Sequence, residues 1–468
     1  MGIDPGSPPP SASRRRSSPS AGLPTSPAGA GSLAAGMPGS ADAAADPDAT
    51  PETADAVPDP AGMPAPNDGT PRWRRWLGRL GVLDWISVGL LAVGLLCVLT
   101  GLLPAPEADD TMARIMPILL FLGTIVIVAE LTATAGVFDV IAGRLASVAR
   151  GSYLALFLLC VLFASVTTIA LNLDTTAVLL TPVMLALAVR LGIPAVPLAM
   201  TTVWLANTAS LLLPVSNLTN ILAAWRVRLE PIPFAARMWL PQLVAITVTM
   251  VALWIWYWRR GQRGADRFEP PTPQPPADLA LYRTAFAACL LFVAGILFGV
   301  EIGLASAVAA AIVILGFAVR ARERLGLALV PWRLLVFVTG LFLVLQTVGR
   351  YGLNDLVGAL VGTDPGAAGA FRAGATGAVL SNVVNNLPAY VAGEAVVPFA
   401  NHTQLLALLI GTNVGPLATP WASLATLIWY ERCAAYGVRV PLGKFMATGL
   451  VLAVCCTTAT VGALLLVS

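Results

Sequence analysis

Histidine and lysine are almost absent from this sequence, which has one of each, His402 and Lys444. Only 11% of the 468 residues are charged, and the 28 basic and 25 acidic residues nearly cancel to a formal net charge of +3. In soluble domains about a quarter of the residues are charged, so this composition excludes an ordinary cytosolic enzyme. The balance of charge also leaves no broad basic surface, and no nucleic-acid partner is expected.

Motifs for metal binding and for ATP hydrolysis are also missing. The six cysteines are scattered through apolar runs without a CxxC spacing, which indicates free thiols rather than a disulfide framework or a zinc site. There is no GxxxxGK[ST] segment, so this chain is not expected to hydrolyse ATP. We therefore predict no catalytic residue, no metal site and no cofactor.

What the sequence does have is long apolar runs, since 57% of its residues are hydrophobic. From Trp73 onward, runs of about 17 to 25 residues alternate with short charged loops, and this is the length that crosses ~30 Å of hydrocarbon as a helix. The expected spans are 82–103, 115–131, 152–170, 236–258, 283–300, 303–319, 332–349 and 445–467. The pattern predicts an all-α, multi-pass protein of the plasma or inner membrane, surrounded by lipid.

Two polar segments divide the chain into regions. Residues 1–71 are rich in Pro, Ala and Ser, and we predict a disordered tail there. A Pro-rich linker at 259–281 separates a first membrane repeat, 80–258, from a second one, 282–468. The regions 172–226 and 376–431 are apolar but interrupted by Asn, Ser, Thr, Pro and Gly, which predicts one re-entrant hairpin and one broken helix in each repeat.

The two halves resemble each other in sequence. Gly136-Val-Phe-Asp139 corresponds to Gly352-Leu-Asn-Asp355, and the segment starting at Pro214 can be laid over the segment starting at Pro420. About five transmembrane helices per half is an odd number, which would make the repeats inverted. Inverted repeats with paired interrupted helices are typical of secondary transporters with a site near the membrane midplane. The distribution of arginines leaves the orientation in the membrane open.

Two carboxylates inside apolar sequence are the candidates for proton coupling. Asp174 lies in the first interrupted region, and Glu130 lies within the second expected span. A carboxylate inside the membrane costs ~3 kcal/mol on insertion scales, which marks it as a functional candidate. The alternatives are a helix cap for Asp174 and a helix-pairing group for Glu130. Asp139 and Asp355 fit interfacial caps, and Glu301 and Glu394 are expected in loops.

The solute site is expected to be formed by neutral amides and hydroxyls in the interrupted regions, because these groups both donate and accept hydrogen bonds without carrying charge. Helix-to-helix hydrogen bonding is the structural alternative for the same residues. The candidates are Asn172, Thr175, Thr176, Ser216, Asn217, Thr219, Asn220, Ser381, Asn382, Asn385, Asn386, Asn413, Thr419 and Ser423.

Three of these segments resemble the arsenical pump membrane protein family of the ion transporter superfamily. They are Ala206-Asn-Thr-Ala-Ser-Leu-Leu-Leu-Pro-Val-Ser-Asn-Leu-Thr-Asn220, Asn385-Asn-Leu-Pro388, and Gly415-Pro-Leu-Ala-Thr-Pro-Trp-Ala-Ser-Leu-Ala-Thr-Leu-Ile-Trp429. The last one follows a GPxxTPxxSLATLLW pattern typical of the family. At the first hairpin the family usually has Asn-Asp-Gly, whereas this chain has Leu173-Asp174-Thr175, so only the aspartate carries over.

The resemblance implies efflux of arsenite or antimonite driven by the proton gradient, assisted in some members by a soluble ATPase subunit. Neutral arsenite, a trihydroxide, suits amides and hydroxyls, and no basic residue falls inside the polar motifs. Three alternatives stay open, namely sodium-coupled import of dicarboxylate, citrate or sulfate, sodium/proton antiport, and a non-transporting membrane scaffold. The sequence also leaves a homodimer open.

Overall fold

The first half of the chain forms eight helices in this computed structural model, which describes residues 82–259, 267–270 and 275–467. The helices are α1 (Val82–Leu99), α2 (Ala105–Thr134), α3 (Val137–Val148), α4 (Tyr153–Leu171), α5 (Leu173–Arg190), α6 (Ala195–Thr208), α7 (Leu218–Val227) and α8 (Pro231–Trp258). The predicted tail 1–71 and parts of the predicted linker lie outside the described residues.

The described residues of the second half form nine α-helices. They are α9 (Leu279–Leu297), α10 (Ile302–Arg320), α11 (Trp332–Val348), α12 (Asn354–Val361), α13 (Gly366–Val384), α14 (Asn386–Val396), α15 (His402–Val414), α16 (Leu424–Ala435) and α17 (Leu442–Leu465). The described ranges contain no strand beyond an isolated bridge between Ser152 and Arg267. Eight of their helical segments are long and apolar enough to cross a membrane, which confirms the all-α, multi-pass architecture.

The same order of elements occurs in both halves. A long helix is followed by a short one, a hairpin, a broken helix and a final long helix, as α2 to α8 and again as α11 to α17. A glycine with positive φ precedes each short helix, Gly136 at 77° before α3 and Gly352 at 105° before α12. The remaining helices pack across the halves, since α1 lies on α11 and α10 lies on α2. Inversion of the repeats stays a prediction.

Each hairpin turns at one asparagine. The first turns at Asn172, so the expected span at 152–170 is its incoming arm, α4, and α5 is its outgoing arm. The second turns at Asn385 between α13 and α14. Both asparagines have φ above 110° and an extended ψ, a backbone region that is almost restricted to glycine and costs ~1–3 kcal/mol per residue.

Each broken helix is interrupted at a proline. Residues 209–217 separate α6 from α7, and residues 415–423 separate α15 from α16. Pro214 and Pro420 each start a single 3-10 turn within these breaks. Proline has no amide proton to continue a helix, and the freed carbonyls need other donors inside the protein. The first break is buried almost throughout, whereas Trp421 of the second break is 48% exposed.

Glycine allows two helix pairs to approach closely. A Cβ on Gly340 of α11 would lie 2.3 Å from the backbone nitrogen of Leu91 on α1. A Cβ on Gly411 of α15 would lie 2.0 Å from the carbonyl oxygen of Gly374 on α13. Small residues at such crossings let helix backbones pack without side chains between them.

Candidate functional site

The tip of the first hairpin places Asp174 in the first turn of α5. Asn172 caps this helix, because its Oδ1 accepts a hydrogen bond of 2.8 Å from the Thr175 amide. The Thr176 hydroxyl donates back to the Asn172 carbonyl at 2.8 Å. A π-helical segment follows at Thr176–Leu180, a feature frequent at functional sites. These bonds fix the tip and leave the Asp174 carboxylate beside the cavities described below.

The tip of the second hairpin carries two adjacent amides. Asn385 donates from Nδ2 to the Trp421 carbonyl at 2.9 Å, which joins this tip to the second break. The Oδ1 of buried Asn386 accepts from the Leu387 amide at 2.9 Å. The backbone torsions match Asn385 with Asn172, since both have a φ above 110°.

A small inner cavity lies where the two tips meet the first break. Its volume is about 30 Å³, which is the space of about one water molecule. The polar residues that line it are Asn172, Asp174, Asn217, Asn385 and Asn386. Its described lining contains one carboxylate and no basic residue, so an ion or solute here would meet amides and a single acidic group.

A larger outer cavity of about 340 Å³ shares Asp174 and Asn385 with the inner one. Its walls are mostly apolar, and they also include Glu130 from the C-terminal part of α2 and Arg333 from the start of α11. Glu130 is half-buried and Arg333 is exposed. The two carboxylates proposed from sequence therefore line one cavity, together with a guanidinium group that the sequence motifs did not predict.

Several polar atoms near the cavities are buried without a hydrogen-bond partner among the described residues. They are the Thr175 hydroxyl, the Asn217 Nδ2 and the Ser423 hydroxyl. Leaving such a group unpaired costs about 1–3 kcal/mol, so each of them is suited to a bound solute, ion or water. The carboxylate and the unpaired groups together can bind a small polar species and hold a proton beside it.

The two broken helices meet in a fully buried hydrogen-bonded cluster. The Thr219 hydroxyl donates to Asn413 Oδ1 at 2.6 Å, and Asn413 Nδ2 donates to Asn220 Oδ1 at 2.7 Å. Asn220 Nδ2 in turn donates to the carbonyls of Ser210 and Leu213 in the first break, at 2.7 and 2.9 Å. These three predicted binding residues make good bonds within the chain, which favours a role in holding the breaks together.

Most of the other predicted residues stabilise the breaks. Asn382 donates to the Gly415 carbonyl at 2.8 Å and accepts from the Thr419 amide at 3.0 Å, so it ties α13 to the second break. Ser216 donates to the Ile169 carbonyl at 3.0 Å across to the first hairpin, and Ser381 donates to the Gly377 carbonyl of its own helix at 2.7 Å.

Asn207 is a buried residue that the sequence analysis missed. It reaches from α6 towards the Thr426 hydroxyl of α16 at 3.5 Å, and its Oδ1 is unpaired. The sequence could have identified Asn207, because it stands seven residues before Pro214, as Asn413 stands seven residues before Pro420.

The sequence analysis expected Glu394 in a loop, and this is wrong. It lies in α14 with its side chain buried and paired with Arg114.

Comparison with known proteins finds membrane transporters among the relatives of this chain. A family model described as "Citrate transporter" matches residues 80–404, a range that ends before the second break. The arsenical pump membrane protein of Escherichia coli is 28% identical over 361 residues, covering 73% of this chain and 84% of that protein. An uncharacterized transporter of Mycobacterium tuberculosis is 28% identical over 321 residues, covering 66% and 72%.

A solved structure also resembles the chain. The crystal structure of the Alcanivorax borkumensis YdaH transporter matches with a TM-score of 0.46 and 16% sequence identity, covering 82% of this chain and 97% of that chain. The relatives named arsenical pump membrane protein confirm the resemblance that the sequence motifs indicated.

Proposed function

Because this chain belongs to the citrate transporter family and is a secondary membrane transporter, we propose that it exports arsenite or antimonite in exchange for protons. Asp174 is the proton-carrying group in this proposal, and the amides of the two hairpin tips bind the neutral solute. Relatives named arsenical pump membrane protein support this choice of solute.

The composition of the inner cavity is the observation that carries this proposal. The inner cavity has room for about one water molecule, so arsenite binds there when the hairpin tips move apart. It then meets four amide side chains and the Asp174 carboxylate, without a basic group in the described lining. An uncharged trihydroxide can bond to amides as donor and acceptor. A polyvalent anion would be repelled by Asp174 at the position where it has to bind.

Arg333 favours the second candidate, sodium-coupled import of citrate, another dicarboxylate or sulfate. Guanidinium groups bind carboxylates and sulfate well, and the family model carries the citrate name. Arg333 nevertheless shares the outer cavity with Glu130 and Asp174. When both carboxylates are ionised they outnumber the guanidinium group, so an entering anion would then meet a net negative lining.

The test is arsenite accumulation by everted membrane vesicles under an imposed pH gradient, without ATP, with and without sodium. We expect accumulation that is independent of sodium. In Asp174→Asn it falls roughly tenfold or more, since an intramembrane carboxylate that couples transport has no substitute. Asp139→Asn is the matched control, because Asp139 lies in the first turn of α3 and lines neither cavity.

The outcomes separate the candidates. Sodium-dependent uptake of citrate or sulfate without arsenite accumulation would select the importer. An Asp174→Asn variant that keeps full arsenite accumulation would remove the aspartate from the coupling mechanism. Accumulation that requires added ATP and a partner subunit would contradict exchange driven by the proton gradient alone.

A further inference from the structure

A second group of charged side chains lies away from both cavities. Glu394 of α14 is buried, with 5% of its side chain exposed, and it accepts a hydrogen bond from the guanidinium group of half-exposed Arg114 on α2. Arg226, near the end of α7, donates to the Val397 carbonyl just after α14 at 3.5 Å. Arg226 and Arg228 also lie 5.2 and 5.3 Å from the ring centre of Phe399. We call Arg114, Arg226, Arg228, Glu394 and Phe399 the charged cluster.

Helix geometry places the charged cluster on the opposite side of the protein from the outer cavity. Arg114 and Glu130 belong to the same helix, α2, and are 16 residues apart. At 1.5 Å per residue this is about 24 Å, most of the thickness of a membrane. Glu130 lines the outer cavity, so Arg114 marks the other end of the path.

The charged cluster is also separated from the inner cavity. Asn386 lines that cavity, and Glu394 follows it by eight residues on α14, which is about 12 Å along the helix. The described lining of neither cavity includes a member of the charged cluster. The inner cavity adjoins the outer cavity at Asp174 and Asn385, on the side of Glu130 and Arg333, whereas about 12 Å of α14 separate it from Glu394.

The charged cluster connects the two halves of the chain. Arg114, Arg226 and Arg228 come from the first half, whereas Glu394 and Phe399 belong to the second hairpin and the loop after it. The first hairpin has no matching carboxylate. When Asn172 is laid on Asn385, Thr181 takes the position of Glu394. The first hairpin therefore has no counterpart of Glu394 at this position.

From this geometry we propose that the Arg114–Glu394 pair is the gate of the transport path on the side opposite the outer cavity. The pair holds the second hairpin against α2 and α7 while the outer cavity is open, and it separates when the far side opens. The contact is suited to breaking, because Arg114 is half-exposed and keeps its access to solvent when the pair separates. This inference requires transport but not a particular solute.

The experiment measures from which side a cysteine in the inner cavity can be labelled. Leu387→Cys is introduced into a chain whose six native cysteines have been replaced, and a membrane-impermeant sulfonated maleimide is added to right-side-out or inverted vesicles. The inner cavity must widen to admit this reagent, so the labelling rate measures how often the cavity opens to each side. Glu230→Cys, at an exposed position between α7 and α8, identifies the vesicles that present the side of the charged cluster. No substrate is needed, so the result is independent of whether the chain transports arsenite.

We expect the cysteine at 387 to react much faster from the outer-cavity side. Glu394→Gln or Arg114→Gln should raise the rate from the charged-cluster side about tenfold or more, as expected when a hydrogen bond to a charged group is lost. The swap Arg114→Glu with Glu394→Arg should bring the rate back towards the parent value. Asp278→Asn, which breaks the 2.7 Å ion pair with Arg320 between α9 and α10, is the matched control and should change neither rate.

Equal labelling from both sides in the parent chain would overturn the proposal, since the far side would then not be closed. Labelling that stays within twofold of the parent in a folded Arg114→Gln chain would also overturn it. Arg114→Gln removes the partner that is half-exposed, so it serves as the folded variant if Glu394→Gln fails to fold.

Discussion

The strained turn at Asn172 leads to a prediction in which glycine and alanine have opposite effects. Asn172 has φ 117° and ψ 171°, and its side chain caps α5. In Asn172→Gly the backbone strain of ~1–3 kcal/mol disappears, while the lost cap costs only a few tenths. The greater conformational entropy of glycine in the unfolded chain lowers the free energy of unfolding by ~0.4–1 kcal/mol. The variant should be about 1 kcal/mol more stable than the parent.

In Asn172→Ala the strain remains, because alanine also has a Cβ, and the loss of the cap costs ~1 kcal/mol. The glycine variant should therefore exceed the alanine variant by about 2 kcal/mol in free energy of unfolding. Unfolding by SDS titration in mixed micelles measures this difference. Both variants should transport less than the parent, because the amide that lines the inner cavity is gone.

Ser152 is the matched control position. It caps α4 by accepting from the Ala155 amide at 3.3 Å, but its φ of −84° is unstrained. Neither Ser152→Gly nor Ser152→Ala relieves any backbone strain, so neither variant should be more stable than the parent. If Asn172→Gly proves no more stable than Asn172→Ala, the strain reasoning is refuted.

Two further predictions concern packing. Asn413→Ala leaves the Thr219 hydroxyl and Asn220 Oδ1 buried without their partner. It should lower the free energy of unfolding by about 2–4 kcal/mol in the same titration. An unchanged free energy of unfolding would mean that the breaks do not depend on this contact. Gly340→Ala forces α11 away from α1 and should cost about 1–3 kcal/mol. Gly89→Ala on α1, where a Cβ meets nothing within 4 Å, should change stability by less than about 1 kcal/mol, and equal effects of the two glycine changes would contradict the close approach.

The helices were predictable because their signal is local. A run of apolar residues long enough to cross the membrane must satisfy its own backbone, and a helix does this within one segment. The predicted spans at 303–319 and 332–349 differ by at most one residue at either end from α10 and α11. Pro214 and Pro420 likewise marked the breaks, because proline has no amide proton for the hydrogen bond that continues a helix. Proline alone is not sufficient, since Pro117 and Pro241 lie inside α2 and α8.

The hairpins were located only approximately. The apolar arm α4 reads as an ordinary span, and nothing in its composition shows that the chain turns back at Asn172. The turn depends on one residue with positive φ, which asparagine adopts only when the surrounding structure imposes it. For the same reason the correspondence of Asn172 with Asn385 became visible only from the backbone.

The sequence by itself determined that this chain is a multi-pass helical membrane protein and which polar residues interrupt its spans, since hydrophobicity and proline act over a few neighbouring residues. Only the tertiary structure decided which of those polar residues are free to bind a solute. Asn413 and Asn217 look alike in sequence, yet Asn413 is fully bonded between the two breaks whereas Asn217 has an unpaired amide at the inner cavity. The same holds for Glu394 and Arg114, 280 residues apart in sequence, because contacts between distant segments arise only when the helices pack.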